Sequence, residues 1–225
     1  MKRLLDFSRT KFSLGRPILN YTKIQYLVSF LIRNKKIQFL GKDFSSKEYL
    51  NCGCGSNIRE AFINLDWRWE PGIDLCWDVT RKLPLSNSSI KGIYTEHMLE
   101  HIPFHKIVPL LSEFKRVLKK DGTVRIIVPD AELYLDLYQS AKQGRKVSFP
   151  YDKKDLNVTP LMYVNQVFRE EGHQYAYDFE TLRVLLNQVG FLNVTRQSFN
   201  QGRDPTLLID SESRNIESLY VEAVI

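Results

Sequence analysis

Apolar residues along the chain switch between two periods, and the switching sketches the fold. Residues 49–52, 61–65, 73–77, 90–95 and 123–128 are short apolar runs with the branched and aromatic content of buried strands. Between the last two, residues 105–120 place Ile107, Leu110, Leu111, Phe114, Val117 and Leu118 on one helical face. Lys119 and Lys120 stand near its end, and Gly122 is positioned as a terminator. Pro129 and Asp130 open a helix that continues over residues 131–143, and Asp178 caps another that bears Leu182, Leu185, Leu186 and Val189 before Gly190. Strands over residues 193–199 and 217–224 give a hairpin-like finish. Only residues 140–173 are irregular, with Gly144, Pro150 and Pro160 among Phe149, Tyr151, Tyr163 and Phe168. Such an insertion either carries substrate contacts or packs its aromatics down. No internal repeat or low-complexity stretch is present, and the alternation of strand and helix predicts an α/β domain.

The run YLNCGCG at residues 49–55 carries the first chemistry. A strand passes directly into Gly53 and Gly55, which lack Cβ, so the backbone reaches positive φ and a ligand can lie against the peptide groups. Three later strands end in acids: Asp66, Asp78 and Glu96. In an open parallel sheet the ligand crevice lies at the carboxyl ends of the strands, so these carboxylates would line the mouth opened by the glycines. An acid at the second strand end suits ribose hydroxyls, and one at the third suits an adenine amino group. Each feature alone is also explained by an ordinary turn or helix cap. A nicotinamide dinucleotide is disfavoured, because Ile58 stands at the third position of a G-x-G-x-x-G fingerprint, where a glycine would let the helix pack on its strand.

Four blocks, LNCGCGSN, INLDWRWEPGIDLCWDVTRKLPL, IYTEHMLEHI and EFKRVLKKDGTVRIIVPD, resemble the seven-stranded S-adenosylmethionine (SAM) dependent methyltransferases, and within them the methyltransferase type 11 group. The resemblance runs from about Lys47 to the C-terminus. It implies a Rossmann-like three-layer α/β/α sandwich on a seven-stranded, mostly parallel sheet with the last strand antiparallel, and SAM as cofactor. On the family pattern Asn51, Cys52, Gly53, Cys54 and Gly55 pass under the methionine and ribose, Asp66 with Trp67 beside it meets the ribose, Asp78 and Val79 meet the adenine, and Thr95, Glu96 and His97 complete the pocket. Two departures stand out: Asn51 replaces a frequent acid, which removes the charge that would attract the methionine ammonium, and Asn57 replaces a frequent glycine.

Methyl transfer from a sulfonium needs an aligned acceptor, exclusion of water and, for a hydroxyl, removal of a proton. His101 and His173 are the candidate bases, because histidine titrates near neutrality, and Asp130 is a candidate for acceptor hydroxyls. Structural or capping roles explain each of the three as well. Residues 97–101 also read H-x-x-E-H, which on a helix puts His97 and His101 on one face beside Glu100, as in a zinc-dependent hydrolase. A noncatalytic binding module on the same fold is the third alternative. The C-terminal runs GHQYAYDFETLRVLLNQVGFLNV and RDPTLLIDSESRNIESLYVEA resemble methyltransferases associated with bacterial surface-glycan assembly, which implies O-methylation of a sugar or glycan intermediate.

Charge separates the two ends of the chain. Residues 1–42 hold ten basic residues against Asp6, a net +9 that leaves −3 for the rest of a chain whose total is +6. We divide the chain at this point into a basic helical extension, 1–42, and a methyltransferase domain, 43–225. Within the extension Ile24, Leu27, Val28, Leu31 and Ile32 recur near helical spacing over residues 22–34. That apolar face is expected to pack on the domain as a lid or core helix, with docking on an anionic membrane surface or a partner as the alternative. Nucleic acid is disfavoured, since the body is mildly acidic and carries no RNA-binding motif. At 225 residues with 43% hydrophobic content the chain can bury a core without disulfides. Cys52, Cys54 and Cys76 have no partners at zinc spacing and read as small apolar packing in a reducing compartment, so no metal is assigned to them. With no secretory signal or membrane-length apolar stretch, a cytoplasmic location is expected, with peripheral contact at the inner membrane face through residues 1–42 as an option.

Overall fold

The computed structural model describes residues 23–39, 44, 46–151 and 158–225. Strands β1 (Tyr49–Cys52), β2 (Phe62–Asp66), β3 (Leu75–Cys76), β4 (Ile90–Glu96), β5 (Leu118–Pro129), β6 (Leu192–Gln197) and β7 (Ser218–Val224) form one seven-stranded sheet in the order β3-β2-β1-β4-β5-β7-β6. Only β7 is reversed, running antiparallel to both β5 and β6. The strand order turns back between β1 and β4, which is where a doubly wound sheet opens its ligand crevice. Helices α1 (Lys23–Ile32), α2 (Ile107–Val117), α3 (Ala131–Lys142), α4 (Pro160–Arg169) and α5 (Phe179–Val189) complete the frame.

The two-residue period of the strands sorts their side chains onto unlike faces. Leu50, Cys52, Ile63, Leu65, Ile93, Val124, Ile126 and Val128 all point to one face, where Leu110, Leu111 and Phe114 of α2 and Leu182, Leu185 and Leu186 of α5 cover them. The second face mixes apolar and polar groups. Here Phe62, Tyr94, Ile127 and Tyr220 meet Leu207, with Phe199 and Ile209 packed against them, while Asn51, Asn64, Arg125 and Glu222 are also buried. The outer layer on this face comes from the connection between β6 and β7, which among the described residues holds 3-10 turns and no α-helix.

Arg125, in the middle of β5, has no exposure at all. Its guanidinium donates to Asp210 through two nitrogens, to Glu222 on β7 at 2.9 Å, and to the carbonyls of Gln201 at 2.8 Å and Ser198 at 3.1 Å. The two carboxylates accept in turn from the backbone of Asn200 and Arg203. One buried charge thereby fixes the whole β6–β7 connection to the sheet.

Local signals set most element ends. Asp130 caps α3 by accepting from Glu132 N and Leu133 N, Asp178 caps α5 by accepting from Thr181 N, and Gly190 ends α5 at φ +88°. The helix expected over residues 105–120 instead begins as a 3-10 turn, Phe104–Lys106, and its α-helical part stops at Val117. Within β5, the register against β4 shifts between Leu118 and Thr123, and the left-handed residue in that stretch is Asp121 at φ +63° rather than Gly122.

The segment read as irregular contains α4. Pro160 starts that helix rather than breaking it, at a position where the missing N–H is no loss. Phe149 stacks on Tyr163 at 4.5 Å between ring centroids, and both are buried with Tyr134 and Val167. These aromatics are therefore core and not a substrate platform. Tyr151 stays partly exposed and donates to Ser213 O and Glu217.

Helix α1 is fixed to the domain by polar groups, and of the apolar face expected to pack inward Val28 and Ile32 are half-buried while Leu27 and Leu31 are exposed. Ser29 Oγ accepts from Trp69 N, Arg33 Nε donates to Trp67 O, and Asn34 Oδ1 accepts from Asp78 N, each at 2.8 Å. Gln38 accepts from Cys76 N at 2.7 Å and donates to Cys76 O at 3.2 Å. The ends of β2 and β3 present unpaired peptide groups, so polar side chains are what can satisfy them. Tyr26, Leu27, Phe30 and Leu31 are left between 56% and 70% exposed. The rest of the basic extension, residues 1–22 and 40–42, lies outside the described residues.

Replacing Arg125 with Met strands Asp210 and Glu222 as buried unpaired acids, and the expected loss is about 3–5 kcal/mol of folding stability. Equilibrium denaturation of Arg125→Met against the native chain checks it.

Candidate active site

The glycine loop is held from below by side chains. Gly53 (φ +76°) and Gly55 (φ +50°) turn the chain back, and Gly53 N and Cys54 N both donate to Leu65 O, at 2.8 and 3.1 Å. A Cβ at Gly53 would lie 2.4 Å from Met98 Cγ, so β4's continuation packs directly against this glycine. A Cβ at Gly55 would meet nothing within 4 Å, which leaves the outer side of the loop open. Asn51, expected to face the cofactor, is buried and donates to Asn57 O at 2.8 Å. It braces the loop, as does Asn64, which exchanges hydrogen bonds with the backbone of Arg59. Cys52 and Cys54 are buried with thiols pushed far above their ordinary range by desolvation, so their backbone builds the loop while their sulfurs stay inert.

The acids at the strand ends divide into open and occupied. Asp66 accepts from Gly55 N at 2.9 Å with one oxygen and from Arg68 N at 2.8 Å with the other, so each oxygen keeps acceptor capacity at the loop's open side. Trp67 beside it is about half exposed, with the Arg33 guanidinium 3.9 Å over its ring. Asp78 forms a local turn with Thr80 N and Oγ1, and Val79 is part of the core. Glu96 is not free for a ligand: Ser211 donates to its two oxygens, through N at 2.9 Å and through Oγ. Thr95 is fully buried, and its hydroxyl has no hydrogen-bond partner. A nucleoside ligand fits the part that remains open, namely the Gly53–Gly55 turn, whose outer side a Cβ would fill, and the Asp66 carboxylate facing it.

The H-x-x-E-H run does not form the helix that a zinc hydrolase needs. His97 sits at φ +48°, and only Leu99–His101 winds, as one 3-10 turn. His97 Nδ1 accepts from Arg214 Nη1 at 2.8 Å and its Nε2 donates to Ser218 Oγ at 2.8 Å, so the ring is a fixed neutral tautomer. Burial first, and Arg214 next, hold its pKa well below the ordinary value. His97 is thereby excluded both as a pocket base and as a ligand through either nitrogen.

His101 and His173, seventy-two positions apart, come together. Their rings lie edge to face with centroids 4.8 Å apart. Gln174 N donates to Glu100 O at 2.7 Å and Gln174 Nε2 to His101 O at 2.9 Å, so one backbone bond and one side-chain bond tie the two segments together. His173 Nδ1 donates to Val167 O at 2.7 Å, leaving a lone pair on Nε2. Burial, with His173 alongside, pulls His101 down to about 4, and burial lowers His173 as well. Both rings are uncharged at neutral pH. Beneath them Glu100 is buried, and burial pushes its carboxyl up to about 8. Neither of its oxygens has a hydrogen-bond partner, and His97 Nδ1, at 3.4 Å, has its lone pair turned to Arg214 and carries no proton.

Further groups that no sequence pattern singled out lie beside this cluster. Glu217 accepts from Tyr134 at 3.0 Å and from Tyr151 at 3.1 Å and lies 3.7 Å from Arg214. The only local hint is the Arg214 and Glu217 pair three residues apart just before β7. Asp130 is engaged by its cap and by Arg196, so it is not open to an acceptor.

The sequence profile of a family described as a methyltransferase domain, type 23, matches residues 25–196. The chain belongs to that methyltransferase family. The matched segment takes in both the α1 attachment and the glycine loop of this methyltransferase. No curated protein matches it in sequence. Among solved structures it is similar to a SAM-dependent methyltransferase from Archaeoglobus fulgidus, at 17% identity over 100% of both chains and a TM-score of 0.50. It is also similar to one from Mesorhizobium loti, at 13% identity over 84% of this chain and 96% of that one, with a TM-score of 0.48. A third, phosphoethanolamine N-methyltransferase 2 of Haemonchus contortus in complex with SAM, shares 13% identity over 88% of this chain and 52% of that one, with a TM-score of 0.44. At these identities the likeness is one of fold.

Gly53→Ala meets both a positive φ and the Met98 contact, and should lower stability by about 1–3 kcal/mol. In a double-mutant cycle Met98→Ala should relieve the steric part and leave the backbone part, which denaturation curves of the four proteins resolve.

Proposed function

We propose that this methyltransferase moves the methyl group of SAM to a hydroxyl of a sugar or surface-glycan intermediate. The observation that carries the reading is the adjacency of two unlike groups of residues: an open glycine turn facing Asp66, and, joined to it through Met98, a cluster of His101, His173, Arg214 and Glu217. SAM, when bound, supplies an electrophilic methyl and leaves as S-adenosylhomocysteine. Asp66 would accept the ribose hydroxyls, the glycines would admit the ligand edge, and the acceptor pocket would supply uncharged ring nitrogens able to take or polarise a hydroxyl proton. A cluster rich in hydrogen-bonding side chains, with the stacked Phe149 and Tyr163 buried in the core, favours a polyhydroxylated acceptor over a flat apolar one.

Calorimetry should find micromolar SAM and S-adenosylhomocysteine binding that Asp66→Ala weakens by about 10- to 100-fold, the value of one or two hydrogen bonds to a charged group. Folded protein that binds neither compound would overturn the reading. With binding in hand, radiolabelled SAM and a panel of nucleotide sugars and lipid-linked glycans identify the acceptor.

A second feature supports contact with a membrane surface. The outward face of α1 presents Tyr26, Leu27, Phe30 and Leu31, followed by exposed Ile37, within an extension of net +9. Apolar side chains flanked by basic ones suit the interface of an anionic bilayer, where a lipid-linked acceptor would be found. No helix among the described residues is long and apolar enough to cross a membrane. Cosedimentation with anionic vesicles should be salt-sensitive and fall by about tenfold or more in Phe30→Glu, given the transfer free energy of one large side chain. Unchanged partition in that variant would remove the surface from the proposal.

A further inference from the structure

We propose that Glu100, His101 and His173 form a binding site for one first-row divalent transition ion, of the Zn(II) type, on the acceptor side of the methyltransferase. Each of the three offers one ligand atom, and these atoms lie within 4.8 Å of one another. The set is two imidazoles and one carboxylate, a borderline donor set that suits zinc, iron or cobalt better than magnesium or calcium, which prefer oxygen. Three protein ligands also leave a coordination position open.

Three observations point to an ion rather than to a chance cluster. Glu100 is 1% exposed, yet neither carboxylate oxygen has a hydrogen-bond partner, and such a group is costly to bury unless a cation or proton donor meets it. His101 Nε2 is 3.9 Å from Glu100 Oε1, further than a hydrogen bond and within the span that one shared ion could bridge after a small movement. His173 gives its Nδ1 proton to Val167 O, and a metal-binding histidine is ordinarily held in this way, by a carbonyl that fixes the tautomer and aims Nε2 at the ion. Ligands of a tetrahedral zinc stand about 3.3 Å apart when its bonds are about 2.0 Å, so the side chains would draw together on binding. The two segments are already joined, through Gln174 N to Glu100 O and through the Gln174 side chain to His101 O.

The site differs from the helical zinc pattern suggested by H-x-x-E-H. His97 is withdrawn by Arg214 and Ser218, and His173 replaces it from a distant loop. It rests on the methyl-transfer reading only for what the ion would do there. In that role it would bind the acceptor hydroxyl and lower its pKa, so that the proton passes to solvent before the oxygen takes the methyl group. His101 and His173 would then act as ligands and not as bases.

Tag-free protein, stripped with chelator and dialysed, is titrated with Zn(II), Co(II) and Mg(II), and its metal content as purified is measured by mass spectrometry. One Zn(II) per chain is expected, together with visible Co(II) bands of a low-coordinate site and no comparable Mg(II) binding. His173→Ala and Glu100→Gln should each weaken Zn(II) binding more than about 100-fold, beyond the usual effect of losing an outer hydrogen bond. His105→Ala, which removes the exposed fourth histidine, should leave it unchanged. Thermal melting and S-adenosylhomocysteine binding report the folding of every variant. Folded native protein without stoichiometric Zn(II), or a folded His173→Ala that keeps native affinity, would overturn the site. Stoichiometric Zn(II) lost in His173→Ala would uphold it even in protein that binds no S-adenosylhomocysteine, an outcome that fells the methyl-transfer reading alone.

Discussion

The buried guanidinium of Arg125 is the constraint from which the working end of the molecule follows. A charge placed in the middle of a sheet has to be answered by acids and carbonyls, and the answering groups all come from β7 and the chain before it. Fixing Ser198 to Asp210 in this way sets Ser211 against Glu96, and a few residues further sets Arg214 and Ser218 on His97. The tip of β4 is therefore held by a loop more than a hundred positions away. With that tip held, Met98 closes under Gly53, and the 3-10 turn Leu99–His101 follows directly from it.

The two faces of the sheet do different jobs. The face under α2 and α5 is apolar and supplies the hydrophobic stabilisation of the fold. The opposite face buries Asn51, Asn64, Arg125 and Glu222, whose hydrogen bonds shape the connections at the strand ends. Burial of polar groups limits how those connections can rearrange, because each displaced partner would leave an unsatisfied group behind.

What the sequence made legible was local. The glycine turn, the acids at the strand ends, the caps at Asp130 and Asp178 and the αL stop at Gly190 all depend on residues within one turn of one another. Helix α4 was legible too, since Thr159 and Pro160 are a helix start with Tyr163 and Val167 on one face, but a proline inside a loop-like stretch is easily read as a breaker. The function of single polar side chains was not. Asn51 and Glu96 occupy positions where a ligand contact is expected, and both are used internally by partners that no spacing rule connects to them. His101 and His173 were each visible as chemistry, while their meeting depends on how the loop before α5 folds back.

The hold of Gln38 on Cys76 has a consequence for how molecules of this protein meet one another. Strand β3 is the last in the sheet, and its outer peptide edge would otherwise invite a strand from a second chain. A single side-chain amide takes both the N–H and the C=O of Cys76, and Asn34 N adds to the same carbonyl, so that edge is closed by one residue's worth of imitation strand. Residues 23–39 thus act as a guard against edge-to-edge aggregation, and trimming them to make a shorter protein would trade a helix for a sticky sheet.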